Sequence, residues 1–276
     1  MHLLVLALWA LVLMVVIALA GAAIGVYAGE ASDSRSAFLL WNAFSQLMTF
    51  ALPVLLMSWM YYRGEQRAFY KLDFGRRKWL LSLAGIGVLL LLLPLTDWLA
   101  VWNDGWHLPG EESLRSIGEK SQRLVEGLLR ECHPLLSLFG LALIPALCEE
   151  LFFRAGMQNL LQRWFKNGHA AVWVTAAIFS LAHGEVFAFM PRLALGILLG
   201  YLYLYGRSLL VNVMAHFVNN ALVVTAYALH AGGVLEQDPS EPLGVDPVLV
   251  IVCTLAAAAL FYVAFLRHQT KEVTKS

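Results

Sequence analysis

Long apolar runs separated by short polar connections set the pattern of this 276-residue chain. They cover residues 3–27, 37–62, 79–102, 134–165, 169–190, 191–205, 209–229 and 247–266. Most reach the roughly 20 residues that a helix needs to cross a hydrocarbon core about 30 Å thick. The pattern predicts an all-α polytopic membrane protein with about eight transmembrane helices, four of them in a core. Only Met1 and His2 precede the first run, which therefore lacks the basic start of a secretory signal. Ala28-Gly-Glu-Ala-Ser32 has the small residues of a cleavage site, but the length of the run favours an uncleaved first helix. Pro53 is expected to kink the second span.

The polar connections carry a second pattern. In residues 103–133, Leu114, Ile117, Leu124, Val125, Leu128 and Leu129 recur at helical spacing among Arg115, Glu119, Lys120 and Arg123. That reads equally as an amphipathic helix lying on the membrane or capping a cavity, and as a solvated connecting helix. Arg63, Arg67, Lys71, Arg76, Arg77 and Lys78 crowd one loop, and the tail from Arg267 to Lys275 is basic. Val234–Asp246 carries four acids and no Lys or Arg. An eight-helix count puts the basic connections, including Arg163, Lys166 and Arg207, on one side. The positive-inside rule makes that side cytoplasmic, with both termini on it, in what is read as a bacterial inner membrane.

Composition narrows the class. The chain is 60% hydrophobic and 14% charged, against about 25% charged in soluble domains, and its mean hydropathy is +0.69. Formal net charge is zero and no basic stripe is present, so a nucleic-acid partner is not implied; the partner that composition implies is the lipid bilayer. Cys132, Cys148 and Cys253 form no CxxC, and neither a thiolate metal site nor a disulfide framework is indicated.

The chemistry concentrates in the second half. Glu149 and Glu150 are adjacent inside an apolar run, where a charge costs about 2.5–3.5 kcal/mol on insertion scales. Glu150 and Arg154 are i,i+4 and share a helix face. Glu149, rotated by about 100°, is left without its own basic partner. His183 stands about as far from the Lys166-Asn-Gly168 turn as Glu149 does, so an antiparallel pair would bring the two to similar depth, some ~25 Å from the turn. His216 and Asn220 are i,i+4 on the seventh run, with Asn219 off that face, but counting from Arg207 leaves His216 shallower than His183. A carboxylate can activate water as general base, and imidazole and amide groups can donate to an oxyanion. Glu149, His183 and His216 could equally hold a divalent metal such as zinc, since imidazole and carboxylate suit it; HExxH is absent and the metal question stays open.

Glu149-Glu150-Leu-Phe-Phe-Arg154, Phe179-Ser-Leu-Ala-His183 and His216-Phe-Val-Asn-Asn220 resemble, in order and spacing, the EExxxR, FxxxH and HxxxN motifs of the CPBP family. That family comprises intramembrane endopeptidases and includes CAAX prenyl proteases and bacteriocin-processing (Abi) enzymes. The resemblance spans roughly residues 134–229 and divides the chain into 1–133, a core at 134–229, and 230–276. It implies that Glu149 activates water and that Glu150 supports it with Arg154. It further implies that His183 joins the water-activating group, and that His216 and Asn220 stabilise the oxyanion. The substrate it implies is a membrane-associated, in some members prenylated, protein or peptide. A proton- or ion-coupled transporter would also bury Glu and His, and a non-catalytic immunity protein would keep the fold; inverted repeats expected of a transporter are not evident.

Overall fold

The computed structural model describes residues 2–9, 11–13, 16 and 35–267, and among these it is helical and contains no strand. The protein is an all-α polytopic membrane protein. Nine main helices follow in order: α1 over residues 2–9, α2 Phe38–Tyr61, α3 Arg76–Asp104, α4 Glu111–Glu131, α5 Pro134–Phe165, α6 Gly168–Ala182, α7 Val186–Gly206, α8 Leu209–Ala231 and α9 Pro247–Leu266. Six of them, α2, α3, α5, α7, α8 and α9, are long and apolar enough to cross a membrane. The expected first span lies partly, and the cleavage-site resemblance and the tail beyond Arg267 wholly, outside the described residues.

The fifth and sixth spans differ from their sequence boundaries. Apolar residues resume at Val186, Phe187 and Ala188 after His183-Gly184-Glu185, and the fifth span was expected to run through this step to Met190. The helix instead ends at Ala182 because Gly184 adopts a left-handed conformation, φ +73°, which glycine accepts without a Cβ penalty. The chain re-enters helix through a short turn at Val186–Ala188, and Pro191 sits in the first turn of the following α-helix, where its missing N–H leaves no helical bond unmade. At about 1.5 Å per residue the 15 residues of α6 span roughly 22 Å.

Packing centres on α5 and α8. The α5 helix is the most enclosed of the six long ones and packs against α2, α6 and α8; α8 also contacts α3, α4 and α7. The α3 helix runs along α9, α8 and α7, so the N-terminal and C-terminal helices share one body with the middle of the chain. Leu6 of α1 is buried against Val54, Met57 and Phe153. Small residues set the closest approach: a Cβ at Gly196 would meet Ala176 Cα at 3.1 Å, and one at Gly200 would meet Val172 Cγ1 at 2.7 Å. This close pairing of α6 on α7 is the small-residue packing favoured in bilayers.

The two ends of the bundle are built differently. At one end Leu209 N donates to Lys71 O, Ser208 Oγ to Asp73 O, and Lys78 Nζ to Gly206 O. Burial first, then the charges of Arg207, Arg163 and Lys78, push the Lys71 ammonium down to about 8. At the other end buried Asn103 bonds Val186 O and Met190 N, tying α3 to the start of α7. Asp97 there accepts from Leu243 N and Val245 N and holds the acidic loop. Across this second end lies α4, the amphipathic helix expected from the sequence. Arg115 anchors its start to Asp104, Glu111 and the Phe187 ring, and Leu128 is buried with Leu39 and Cys132 near its end. Val125 lines a cavity, which favours the capping reading over the solvated one.

Because Gly200 has no room for a methyl group, Gly200→Ala should lower thermal stability in detergent by an overpacking cost of about 1–3 kcal/mol. An unchanged melting temperature would show that α6 and α7 can separate freely.

Candidate active site

The site is built around one short α-helical stretch. Ile144–Glu150 is α-helical, with π-helical turns before it at Leu138–Leu143 and after it at Leu151–Gln158. Wide turns of this kind re-aim side chains and are frequent at functional sites. They point both glutamates into the bundle: Glu149 is 6% and Glu150 0% exposed.

The two carboxylates have different surroundings. Glu150 Oε2 lies 3.1 Å from Arg154 Nε, and Asn212 Nδ2 donates to the same oxygen at 3.2 Å. Its Oε1 is 2.9 Å from His216 Nδ1. The Arg154 contact is an ion pair by distance and charge, but it is off the hydrogen-bonding line. Arg154 is itself wholly buried, with its guanidinium 5.2 Å from the centre of the Phe179 ring. Asn212 is fixed in turn by donating to Leu199 O at 2.5 Å. Glu150 is thus enclosed by a cation and two hydrogen-bonding groups. Glu149 is not: its Oε2 accepts no hydrogen bond from the protein, and His216 Nε2 stands 3.8 Å away.

Glu149 faces a cavity of about 460 Å³ that His183, His216, Asn219 and Asn220 also line. His216 is 2% exposed, at the cavity floor, and His183 is exposed at its rim. His183 turns back along α6, its Nδ1 2.8 Å from Phe179 O. The Phe179 ring packs edge-on to both imidazoles, at 4.8 Å from His183 and 5.8 Å from His216. The structure therefore joins Glu149, Glu150, Arg154 and His216 by direct contact, and puts His183 and Asn220 on the wall of the same cavity. Glu149 and His183, expected at similar depth, line the same cavity, and His183 directly follows the last residue of α6.

Residues 131–222 match the type II CAAX prenyl endopeptidase family, Rce1-like. No curated protein and no solved structure matches the chain. The matched segment contains both glutamates, Arg154, His183, His216 and Asn220, and the family it matches is one of endopeptidases. Among the described residues no group of three His, Cys, Asp or Glu has the arrangement to hold a metal ion. With both Nδ1 atoms engaged, by Glu150 and by Phe179 O, Nε2 of His183 and of His216 and the Glu149 carboxylate are the atoms that would have to hold a metal, the pattern usual behind metal-binding imidazoles.

Several lining residues escaped the sequence reading. Asn42 and Gln46 of α2 and Arg192 of α7 line the cavity, and Asn212 holds Glu150. Three of these were visible as spacing. Asn42 and Gln46 are polar i,i+4 partners in an apolar helix, and Asn212, His216 and Asn220 form one stripe with a four-residue step. Arg192 gave no such signal; it pairs with Glu185 across the Val186–Ala188 turn.

Removing one member of a buried ion pair leaves the other uncompensated, at about 3–5 kcal/mol. Arg154→Ala should therefore melt well below the wild type in detergent. Melting at the wild-type temperature would mean that Glu150 does not depend on Arg154.

Proposed function

We propose that the protein is an intramembrane endopeptidase that hydrolyses a peptide bond in a membrane-associated protein or peptide, with Glu149 as the group that activates water. The observation that carries this reading is the division of labour between adjacent carboxylates. Glu150 is taken up by Arg154, Asn212 and His216, whereas Glu149 presents an unbonded oxygen to the cavity.

The geometry suits the following sequence of events. Water in the cavity donates to the Glu149 carboxylate, which takes its proton as the oxygen adds to the carbonyl carbon of the scissile bond. The charge that develops on the carbonyl oxygen needs donors. Asn220 Nδ2 can donate in any protonation state. His216 gives Nδ1–H to Glu150 and turns Nε2 toward Glu149; Nε2 is a second donor to the oxyanion when the ring carries a proton on both nitrogens. The C–N bond then breaks, and the proton held by Glu149 passes to the leaving amine. His183, with Nδ1–H given to Phe179 O, keeps Nε2 as an acceptor and can orient the water from the rim. Glu150, Arg154 and Asn212 hold His216 in place and act through it.

Loss of an oxyanion donor typically lowers the catalytic rate by about 10²–10³. Asn220→Ala should fall in that range, and Glu149→Gln should lose at least as much. Substrate binding should survive both changes, because these groups act chiefly in the transition state. The measurement is turnover of a panel of quenched-fluorescent transmembrane peptides by the purified protein in detergent. Full turnover by Glu149→Gln would remove the protein from this class of enzyme.

A further inference from the structure

The cavity and the charges of the bundle lie in a fixed relation to each other. The connections that close one end, residues 62–78, 163–167, 207–208 and 267, hold ten Lys and Arg against two Asp and Glu. Those at the other end, residues 103–133, 183–192 and 231–246, hold eleven Asp and Glu against five Lys and Arg. Such asymmetry orients a membrane protein with its basic end in the cytoplasm. It puts α4, the Gly184 turn and the loop held by Asp97 on the opposite side.

The cavity belongs to that acidic side. The α2 helix runs toward the basic end, and its lining residues Asn42 and Gln46 lie in the half away from it. The α3 helix runs the other way, and Thr96 is near its acidic end. His183 ends α6 on the acidic side, and Arg192 begins α7 there. Val125 of α4 overhangs the same space. Toward the basic end the floor is closed by buried His216, Glu150, Arg154 and Gln158, the last bonded to Gly200 O across the tight α6–α7 contact.

We infer that substrate reaches Glu149 from the acidic, non-cytoplasmic face, so that the enzyme acts on membrane-anchored segments of exported proteins rather than on cytoplasmic chain termini. This rests on the endopeptidase reading for what happens at the site, and on charge and cavity position for the side of entry. A lipidated tail made in the cytoplasm would meet the closed floor. A transmembrane segment whose cleavage point lies near the outer interface would meet the rim formed by His183, Val125 and Arg192. The Arg192–Glu185 pair and the Arg115 anchor of α4 stand at that rim, where an extended chain has to pass.

The side of entry is testable without activity. In a variant with Cys132, Cys148 and Cys253 changed to Ala, single cysteines are introduced as Glu65→Cys, Glu236→Cys and Val125→Cys. Intact cells of a bacterial host are treated with a membrane-impermeant maleimide. Labelling at 236 and 125 in intact cells, with 65 labelled only after permeabilisation, is the expected result. Labelling at 65 with protection at 236 would reverse the orientation and overturn the inference. Labelling at 236 with protection at 125 would show the cavity shut to that face and overturn it as well. If the cysteine-free protein fails to fold, fusions after residue 267 replace it. Green fluorescent protein should then fluoresce and alkaline phosphatase should stay inactive; the opposite pair of results overturns the orientation. Detergent exposes both faces, so an inert wild-type protein there would count against the endopeptidase reading alone and leave the side of entry standing.

Discussion

The wholly buried ion pair of Glu150 and Arg154 is the constraint to which the rest of the site answers. Neither group can be kept charged at membrane depth without the other, and the pair fixes what may surround it. Asn212 supplies a hydrogen bond from α8 and locks to Leu199 O of α7. His216 supplies another from one turn further along α8. The Phe179 ring of α6 covers the guanidinium. Four helices thus converge on one carboxylate, and hydrogen bonds to an ionised group are worth about 1.5–3 kcal/mol each. With Glu150 so enclosed, His216 has one ring nitrogen committed and the other turned toward Glu149. The ordering of the structural carboxylate is what arranges the chemical one.

Much of this was legible in the chain, and for identifiable reasons. Two acids and an arginine in an apolar run are conspicuous because a bilayer penalises each of them. The four-residue step from Glu150 to Arg154 gave the ion pair directly, and by elimination left Glu149 unpaired. Span positions followed from hydropathy wherever polar residues bounded the apolar runs. They failed at Ala182–Met190, where the polar step His183-Gly184-Glu185, with its glycine left-handed, breaks the helix but was read as part of one apolar span.

Other features depend on contacts between helices, which no count along one helix gives. His216 looked too shallow when measured from Arg207, yet it touches both glutamates. The wide turns of α5 shift its register, and the α7–α8 turn is seated against Lys71 and Asp73 rather than hanging free. Asn212 was passed over because a lone asparagine resembles ordinary helix surface, although its spacing to His216 and Asn220 marks a stripe. The amphipathic α4 could be recognised as a helix, but only Val125 in the cavity wall distinguishes a cap from a connector.

The central claim is that two neighbouring glutamates carry separate duties, one holding the fold and the other serving the cavity. The most direct measurement is the melting temperature of Glu150→Gln beside that of Glu149→Gln in the same detergent. The account predicts a large loss for Glu150→Gln, which strands the Arg154 charge, and a melting temperature near the wild type for Glu149→Gln. Equal losses in the two variants, or a loss confined to Glu149→Gln, would contradict it.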